Sequence, residues 1–432
     1  MSLLKRISKS LVEGNALRKV GPFIRKRFSR DYRRGKLISL DRKIGYAYRK
    51  CYARSIKVVP NSIFFFTFQG MYTCNPKYIS EELERRNADV KIYWALKNTK
   101  DINGFDDNTR VVPVKINTIE YYHAAMSSKF LVTNAILGDR NYMLPVKRNQ
   151  ICIQTWHGSL GIKRFDPKSY NSSKEWPIAM AKTAKMTKYC ISNSQFEDDV
   201  YRETYWPKTE ILRFGHARND VFFELGEKHK QEWLDEIKER FNIEAEDPHF
   251  VLYAPTFRDD HNFKVYDIDF EMLLETLTEK YGGTWYLLLR YHPSVLTEKK
   301  AKKVFESEYI LNVTEYTDIQ QLMVIADIGI SDYSSWMFDF MLSRKPVFVY
   351  AKDLNYYKVE RNFYYPIEST PFPVARNNKQ LKDNLINFDQ QKYIADVEKF
   401  LLDKGCMEDG HAAKRIVDFI LQIIEDEKKK RK

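Results

Sequence analysis

The chain has 432 residues, 14% of them aromatic and 44% apolar, which supports more than one buried core and excludes wholesale disorder. Its net charge of +13 is uneven: residues 1–57 hold 18 Lys and Arg against 3 acids, leaving 53 bases and 55 acids for the rest. A nearly neutral body argues against nucleic acid as a partner. The five scattered cysteines form neither a disulfide framework nor a metal-ligand pattern, as expected in a reducing compartment.

The basic segment carries Leu3, Leu4, Ile7 and Leu11, then Val20, Phe23, Ile24 and Phe28, at helical intervals. Cationic amphipathic stretches of this kind lie on anionic bilayer surfaces. No apolar run approaches the roughly 20 residues of a spanning helix, and no signal-peptide pattern appears. The expected place is peripheral, on the cytoplasmic face of the cell membrane.

Beyond the arm, Ser62–Phe68 reads as a strand, Pro76–Arg86 as a helix, Val90–Leu96 as a strand, Thr118–Ser127 as a helix and Phe130–Thr133 as a strand. Strands Ile151–Gln154 and Tyr189–Ser192 follow, with an Ala- and Lys-rich helical stretch between them. The charged, helical segment Glu224–Asp247 reads as a connection between domains. Alternation then restarts with strand Phe250–Ala254, helix Phe270–Lys280, strand Trp285–Arg290, a strand near Tyr309–Val313 and helix Ile319–Val324. Strand Ile328–Ser331, helix Trp336–Ser343, strand Pro346–Tyr350 and the amphipathic helix Ala412–Ile424 complete the series. Such alternation predicts two doubly wound α/β halves with parallel sheets facing across a cleft, an arrangement several two-domain enzymes share. The expected units are an arm over 1–57, an N-terminal α/β domain over 58–225, a C-terminal α/β domain over 226–405, and a final helix with a polar tail over 406–432.

Open parallel sheets bind ligands where their strands end, and the chemistry-bearing segments cluster there. Thr155-Trp156-His157-Gly158 follows the strand Ile151–Gln154, so His157 is a candidate general base on a turn where Gly158 permits close approach of a ligand. Ser331-Asp332-Tyr333-Ser334-Ser335 ends another strand and opens a helix carrying Asp339. Ser334 as its N-cap, with Ser335 beside it, would make a phosphate site. Arg290 and His292 precede Pro293 at a third strand end, suited to phosphate oxygens, and Arg258 follows a fourth, where it either completes the phosphate pocket or pairs with Asp259 or Asp260. Gly215-His216-Ala217-Arg218-Asn219-Asp220 closes a strand of the first half, where Arg218 and Asn219 either line the cleft or close the domain boundary by capping residues Val221–Leu225. The lone Asp267-Ile268-Asp269 reads as the charged start of a helix, and no metal or cofactor is expected. No phosphate-binding P-loop, dinucleotide turn or serine-nucleophile elbow occurs.

Together these segments resemble the CDP-glycerol glycerophosphotransferase family of teichoic acid and capsule synthesis. The likeness rests on Trp156-His157-Gly158 with Phe165-Asp166, on Ile191-Ser192-Asn193-Ser194, and on Tyr253-Ala254-Pro255-Thr256-Phe257-Arg258-Asp259. Arg290-Tyr291-His292-Pro293, Ser331-Asp332-Tyr333-Ser334-Ser335, Phe338-Asp339-Phe340 and Lys345-Pro346-Val347-Phe348-Val349-Tyr350 extend it from about Ile63 to Tyr365. One departure is Gly215-His216-Ala217-Arg218-Asn219-Asp220, where the family usually has Gly-x-Pro-Arg-Asn-Asp.

The resemblance implies a GT-B fold, the donor CDP-glycerol in the C-terminal half, and a lipid-linked saccharide or polyol phosphate acceptor in the N-terminal half. It also implies His157 and His292 as the two histidines that matter for activity. Gly158, Arg218, Asn219, Arg258, Arg290, Asp332, Ser334, Ser335 and Asp339 are the expected substrate contacts. CDP-ribitol, or CMP-sialic acid in a polysialyltransferase of similar build, stay open as donors.

Overall fold

A computed structural model of the chain describes residues 32–68, 70–98, 110–137, 144–164, 176–258, 263–292 and 307–431. The apolar stripe from Leu3 to Phe28 lies outside these, as do Phe165, Asp166, Asp259 and Pro293. The first half begins with helix α1 (Tyr32–Ser55), then β1 (Val59–Phe66), α2 (Cys74–Arg85), β2 (Lys91–Leu96), β3 (Val111–Lys115), α3 (Ile119–Ser127) and β4 (Ser128–Thr133). It continues through β5 (Ile151–Gln154), α4 (Trp176–Met186), β6 (Thr187–Ser192), α5 (Gln195–Glu203) and β7 (Glu210–Arg213) to a 3-10 turn, Ala217–Phe222. The seven strands form one parallel sheet in the order β3-β2-β1-β4-β5-β6-β7. Strands with both faces covered need apolar residues throughout, and Ile63, Phe64, Phe65 and Phe66 of β1 are all buried.

Helix α6 (Glu224–Phe241) leads to the second half, which holds β8 (Pro248–Tyr253), α7 (Phe270–Tyr281), β9 (Thr284–Leu289), β10 (Ile310–Asn312), α8 (Ile319–Ile325) and β11 (Ile328–Ser331). Next come α9 (Trp336–Phe340), β12 (Val347–Tyr350), α10 (Leu354–Arg361), β13 (Val374–Ala375), α11 (Asn378–Ile386) and α12 (Gln390–Asp403). This sheet is also parallel, in the order β10-β9-β8-β11-β12-β13.

The last helix, α13 (Ala412–Lys429), returns to the first half. Its starting amides, Ala412 N and Ala413 N, donate to the Asp220 carboxylate at 2.9 and 2.8 Å, and its buried Ile416, Val417, Ile420 and Ile424 join the core. The segment leading into it is tied to the end of β6, where Met407 N donates to Asn193 O.

Several elements differ from the sequence expectation. Strand β3 contains Pro113, which reads against a strand, yet β3 is the sheet edge, where a missing N–H costs no ladder bond. The helix expected over Trp336–Ser343 is α-helical only to Phe340 and tightens into a 3-10 turn, Met341–Ser343. Helix α13 runs on to Lys429 through the Glu- and Lys-rich stretch expected as a tail, residues with good helix propensity. Helices α10, α11 and α12 had no sequence-based assignment. The Asp269 side chain accepts from Met272 N, capping α7 as expected.

Candidate active site

The His157 turn is built by its neighbours. Trp156 follows β5 with φ +50°, a left-handed conformation that is unfavourable for a bulky residue. Three contacts hold it there. Trp156 N donates to Gln154 Oε1 at 2.9 Å, and Asn75 Nδ2 donates to the carbonyls of Thr155 and Trp156 at 3.0 and 3.2 Å. The indole also packs edge-on against Trp206. A side chain at Gly158 would crowd the turn, because a Cβ would stand 3.1 Å from the Trp156 ring nitrogen.

The His157 ring stacks on Trp156 and Phe68 with centroids 4.4 and 5.4 Å away. Its Nδ1 lies 3.0 Å from the backbone oxygen of Asn134. A carbonyl only accepts, so Nδ1 carries the proton and Nε2 keeps its lone pair. Burial, helped by the Arg218 charge and opposed by the Asn134 bond, pushes the imidazole down to about 4. His157 is therefore neutral at cellular pH and fixed in the tautomer a base requires.

Arg218 links this turn to the other half. Its Nη2 donates to Gly158 O at 2.9 Å and lies 3.0 Å from Asp339 Oδ2 of α9, and its Nη1 approaches Cys74 Sγ. Both charged side chains are only 3% exposed. Of its two expected roles, Arg218 takes the one at the domain boundary, which it closes through Asp339 behind the His157 turn rather than by capping the residues after it. Asn219 is fully buried and donates to Glu408 Oε1, which also accepts from Asn193. A second buried pair, Lys77 Nζ to Asp318 Oδ2 at 2.6 Å, ties α2 to the start of α8.

In the second half, Asp332 Oδ1 accepts from the backbone of Thr256 and Asp332 Oδ2 lies 2.8 Å from Arg258 Nη2. Arg258 also pairs with Asp353 at 2.7 Å through Nε and donates to Thr256 O. Burial alone would raise the Asp353 carboxyl, but Arg258 and the Tyr333 hydroxyl hold it below the usual carboxylate range. Arg258 is thus engaged by two carboxylates, those of Asp332 and Asp353. Arg290 Nη1 donates to the carbonyls of Val313 and Tyr316, which fastens the strand end that carries His292. The exposed His292 ring lies 4.4 Å from Phe257, and desolvation lowers it from the ordinary histidine value.

Ser335, not Ser334, is the N-cap of α9, and its hydroxyl makes no capping bond because its φ of −69° and ψ of −18° are already helical. Both serines are half-buried. A Cβ on Gly161 would stand 3.3 Å from Ser335 Cβ, so the loop after His157 runs against this helix start. Residues 162–164 also pair with 362–364 across the halves: Arg164 N donates to Asn362 O and Tyr364 N to Ile162 O. The fold therefore brings the His157 loop and the Ser335 helix start together, while Arg218, Asp339, Arg258, Asp332 and Arg290 form its scaffold.

Sequence reasoning missed Asn134, Asn75, Phe68 and Glu408. Asn134 could have been found, since it directly follows the predicted strand Phe130–Thr133 on a ligand-binding edge. Phe68 closes the predicted strand Ser62–Phe68 and carries the same signal, whereas Asn75 and Glu408 sit far away in sequence with none. Among the described residues no His, Cys, Asp or Glu cluster is arranged to hold a metal ion.

A family profile described as CDP-Glycerol:Poly(glycerophosphate) glycerophosphotransferase matches residues 48–422. A teichoic acid poly(glycerol phosphate) polymerase of Staphylococcus epidermidis is 32% identical over 394 residues, 86% of this chain but 52% of that protein. The chain thus spans about half the length of that relative. A protein of the same name from Bacillus spizizenii is 28% identical, with 85% of this chain matched to 94% of the relative. A structure of the wall teichoic acid polymerase TagF soaked with CDPG superposes with a TM-score of 0.74 at 29% identity, covering 88% of this chain and 94% of the other. The two parallel α/β halves are a GT-B arrangement, and the chain belongs to the CDP-glycerol:poly(glycerophosphate) glycerophosphotransferase family.

Proposed function

We propose that the chain moves glycerol phosphate from CDP-glycerol to a hydroxyl of a membrane-linked saccharide or polyol phosphate acceptor, releasing CMP. The acceptor oxygen attacks the phosphorus that bears glycerol, the bond to the CMP oxygen breaks, and that oxygen leaves with the electron pair. The hydroxyl proton passes to His157 Nε2. His292 stabilises the departing CMP, and Ser334, Ser335 and the first amides of α9 hold phosphate oxygens. Arg258 and Arg290 act one step back: the first orders Asp332 and Asp353, and the second fastens the strand end before His292.

The observation that carries this reading is the Asn134 carbonyl on His157 Nδ1, which leaves Nε2 unprotonated on a strand-end turn. The basic arm supports a peripheral place at the membrane, and no helix among the described residues is long and apolar enough to cross one. The test is a donor comparison. The protein is incubated with CDP-glycerol, CDP-ribitol or CMP-sialic acid and a lipid-linked disaccharide acceptor, and CMP release is followed. CDP-glycerol should be consumed fastest; preference for either other donor would reject the assignment.

A further inference from the structure

Two aromatic rings lie nearly parallel to the His157 imidazole, Trp156 at 26° and Phe68 at 21°. They differ in one respect: Trp156 is 8% exposed, whereas Phe68 is 48% exposed. Their place follows from the sheet. Strands β1, β4 and β5 are neighbours, with Phe66, Thr133 and Gln154 in one row, so Phe68, Asn134 and His157 leave the same stretch of its edge. That edge is where open parallel sheets take their ligands.

The backbone holds Phe68 in this position. Its N–H donates to Asn134 Oδ1 at 2.9 Å, while the Asn134 backbone oxygen receives His157 Nδ1 at 3.0 Å. One residue therefore fixes both the base and the ring beside it. Around Phe68, Thr67 Oγ1 donates to Met71 O at 2.6 Å and accepts from Met71 N at 3.0 Å. Gly70, at φ +66°, donates to Thr67 O, and its own carbonyl accepts from Lys97 N. A Cβ at Gly70 would stand 2.4 Å from Ile116 Cδ1, so the chain path depends on glycine there. The preceding Ile63, Phe64, Phe65 and Phe66 are buried in the core, and Phe68 is the aromatic that this strand presents to solvent.

We infer that Phe68 is the acceptor platform: its exposed ring takes the C–H face of the saccharide or polyol unit whose hydroxyl gives its proton to His157. With Nδ1 committed to Asn134, that hydroxyl must reach Nε2 in the imidazole plane. The carbon skeleton behind it then lies against the ring that runs parallel to the imidazole. An aromatic face carries partial negative charge, so it receives the weakly positive C–H groups of a sugar or alditol and disfavours a phosphate. The platform thereby orients the acceptor, with its carbon skeleton on Phe68 and its phosphates turned away. This inference rests on the transfer reaction proposed above and adds the residue that recognises the acceptor.

The test compares the wild-type chain with Phe68→Ala and Phe68→Tyr, using CDP-glycerol and two acceptors: a lipid-linked disaccharide, and the same lipid bearing one glycerol phosphate. Phe68→Ala should raise the acceptor KM about tenfold, the scale of one lost aromatic contact, with donor KM and melting temperature unchanged. Phe68→Tyr keeps the flat ring and should retain most of the acceptor affinity. A loss confined to the disaccharide puts a sugar on the ring, and a loss confined to the second acceptor puts the polyol there; either supports the platform. If Phe68→Ala unfolds, Phe68→Leu, which keeps apolar bulk without a flat face, should show the same split between acceptor and donor KM. An unchanged acceptor KM in a folded variant, or a donor KM that rises equally, would overturn the platform and leave the transfer reaction standing. Wild-type protein that releases CMP from CDP-glycerol with neither acceptor would overturn both.

Discussion

Arg218 and Asp339 stand on opposite halves of the molecule, yet their side chains meet at 3.0 Å with almost no solvent contact. Arg218 also holds the carbonyl of Gly158, so one guanidinium closes the interface and braces the residue after His157. Burial opposes its charge, but Asp339 outweighs that cost and keeps Arg218 more firmly protonated than in water. Removing one partner strands the other charge. Arg218→Met or Asp339→Ala should each lower stability by about 3–5 kcal/mol, read by denaturant unfolding. The double variant should cost less than the sum of the two, and additive losses would deny the coupling.

His157→Ala should leave CDP-glycerol binding intact while turnover drops a hundredfold or more, the usual scale for losing a general base. Calorimetric binding beside steady-state rates separates the two effects. Unchanged turnover would remove His157 from the mechanism.

The imidazole's depressed position also predicts a pH profile. Its folded value of about 4 lies below the ordinary 6.5. Its contribution to stability is therefore fully present above about 6.5 and is lost as pH falls through about 4. The same sign governs catalysis. The acid limb of kcat/KM for the donor should fall well below 6.5, because that parameter reports the free enzyme. The acid limb of kcat should lie at higher pH, since a bound diphosphate favours the imidazolium. A kcat/KM limb at 6.5 or above would contradict the buried, neutral base.

Asn75 serves three backbone groups at once, accepting from Arg218 N and donating to the carbonyls of Thr155 and Trp156. Asn75→Ala should cost about 1–3 kcal/mol, the penalty for buried groups left unpaired. It should also reduce kcat more than donor affinity, because Trp156 would be free to leave its left-handed conformation. Equal losses in kcat and donor binding would point to general unfolding instead.

Deleting residues 1–30 should weaken vesicle binding without abolishing CMP release on a soluble acceptor analogue, as sedimentation and a coupled assay would show. Full vesicle binding by the shortened chain would reject the arm as an anchor.

Much of the site's outline was legible in the sequence. Ile151–Gln154 and Ile328–Ser331 have the observed strand bounds, so the residues that follow them had to emerge at sheet edges. Asp269 read correctly as a helix start because capping is a local interaction. Arg258 read as a phosphate ligand and Arg218 as a cleft or boundary residue because both lie at strand ends, and nothing near either in sequence announces its partner, Asp353 or Asp339. Ser334 read as the cap although the expected helix start, Trp336, is the observed one, which makes Ser335 the capping position.

The amino-acid order alone determined the two alternating α/β halves, the turn that bears His157 and the concentration of charge in the first 57 residues, because periodicity and turn chemistry act over a few neighbours. Tertiary structure alone decided which charges are spent on one another, which tautomer His157 adopts and which strand ends face across the interface. Each of those depends on groups brought together from distant parts of the chain, and a sequence window cannot contain both partners.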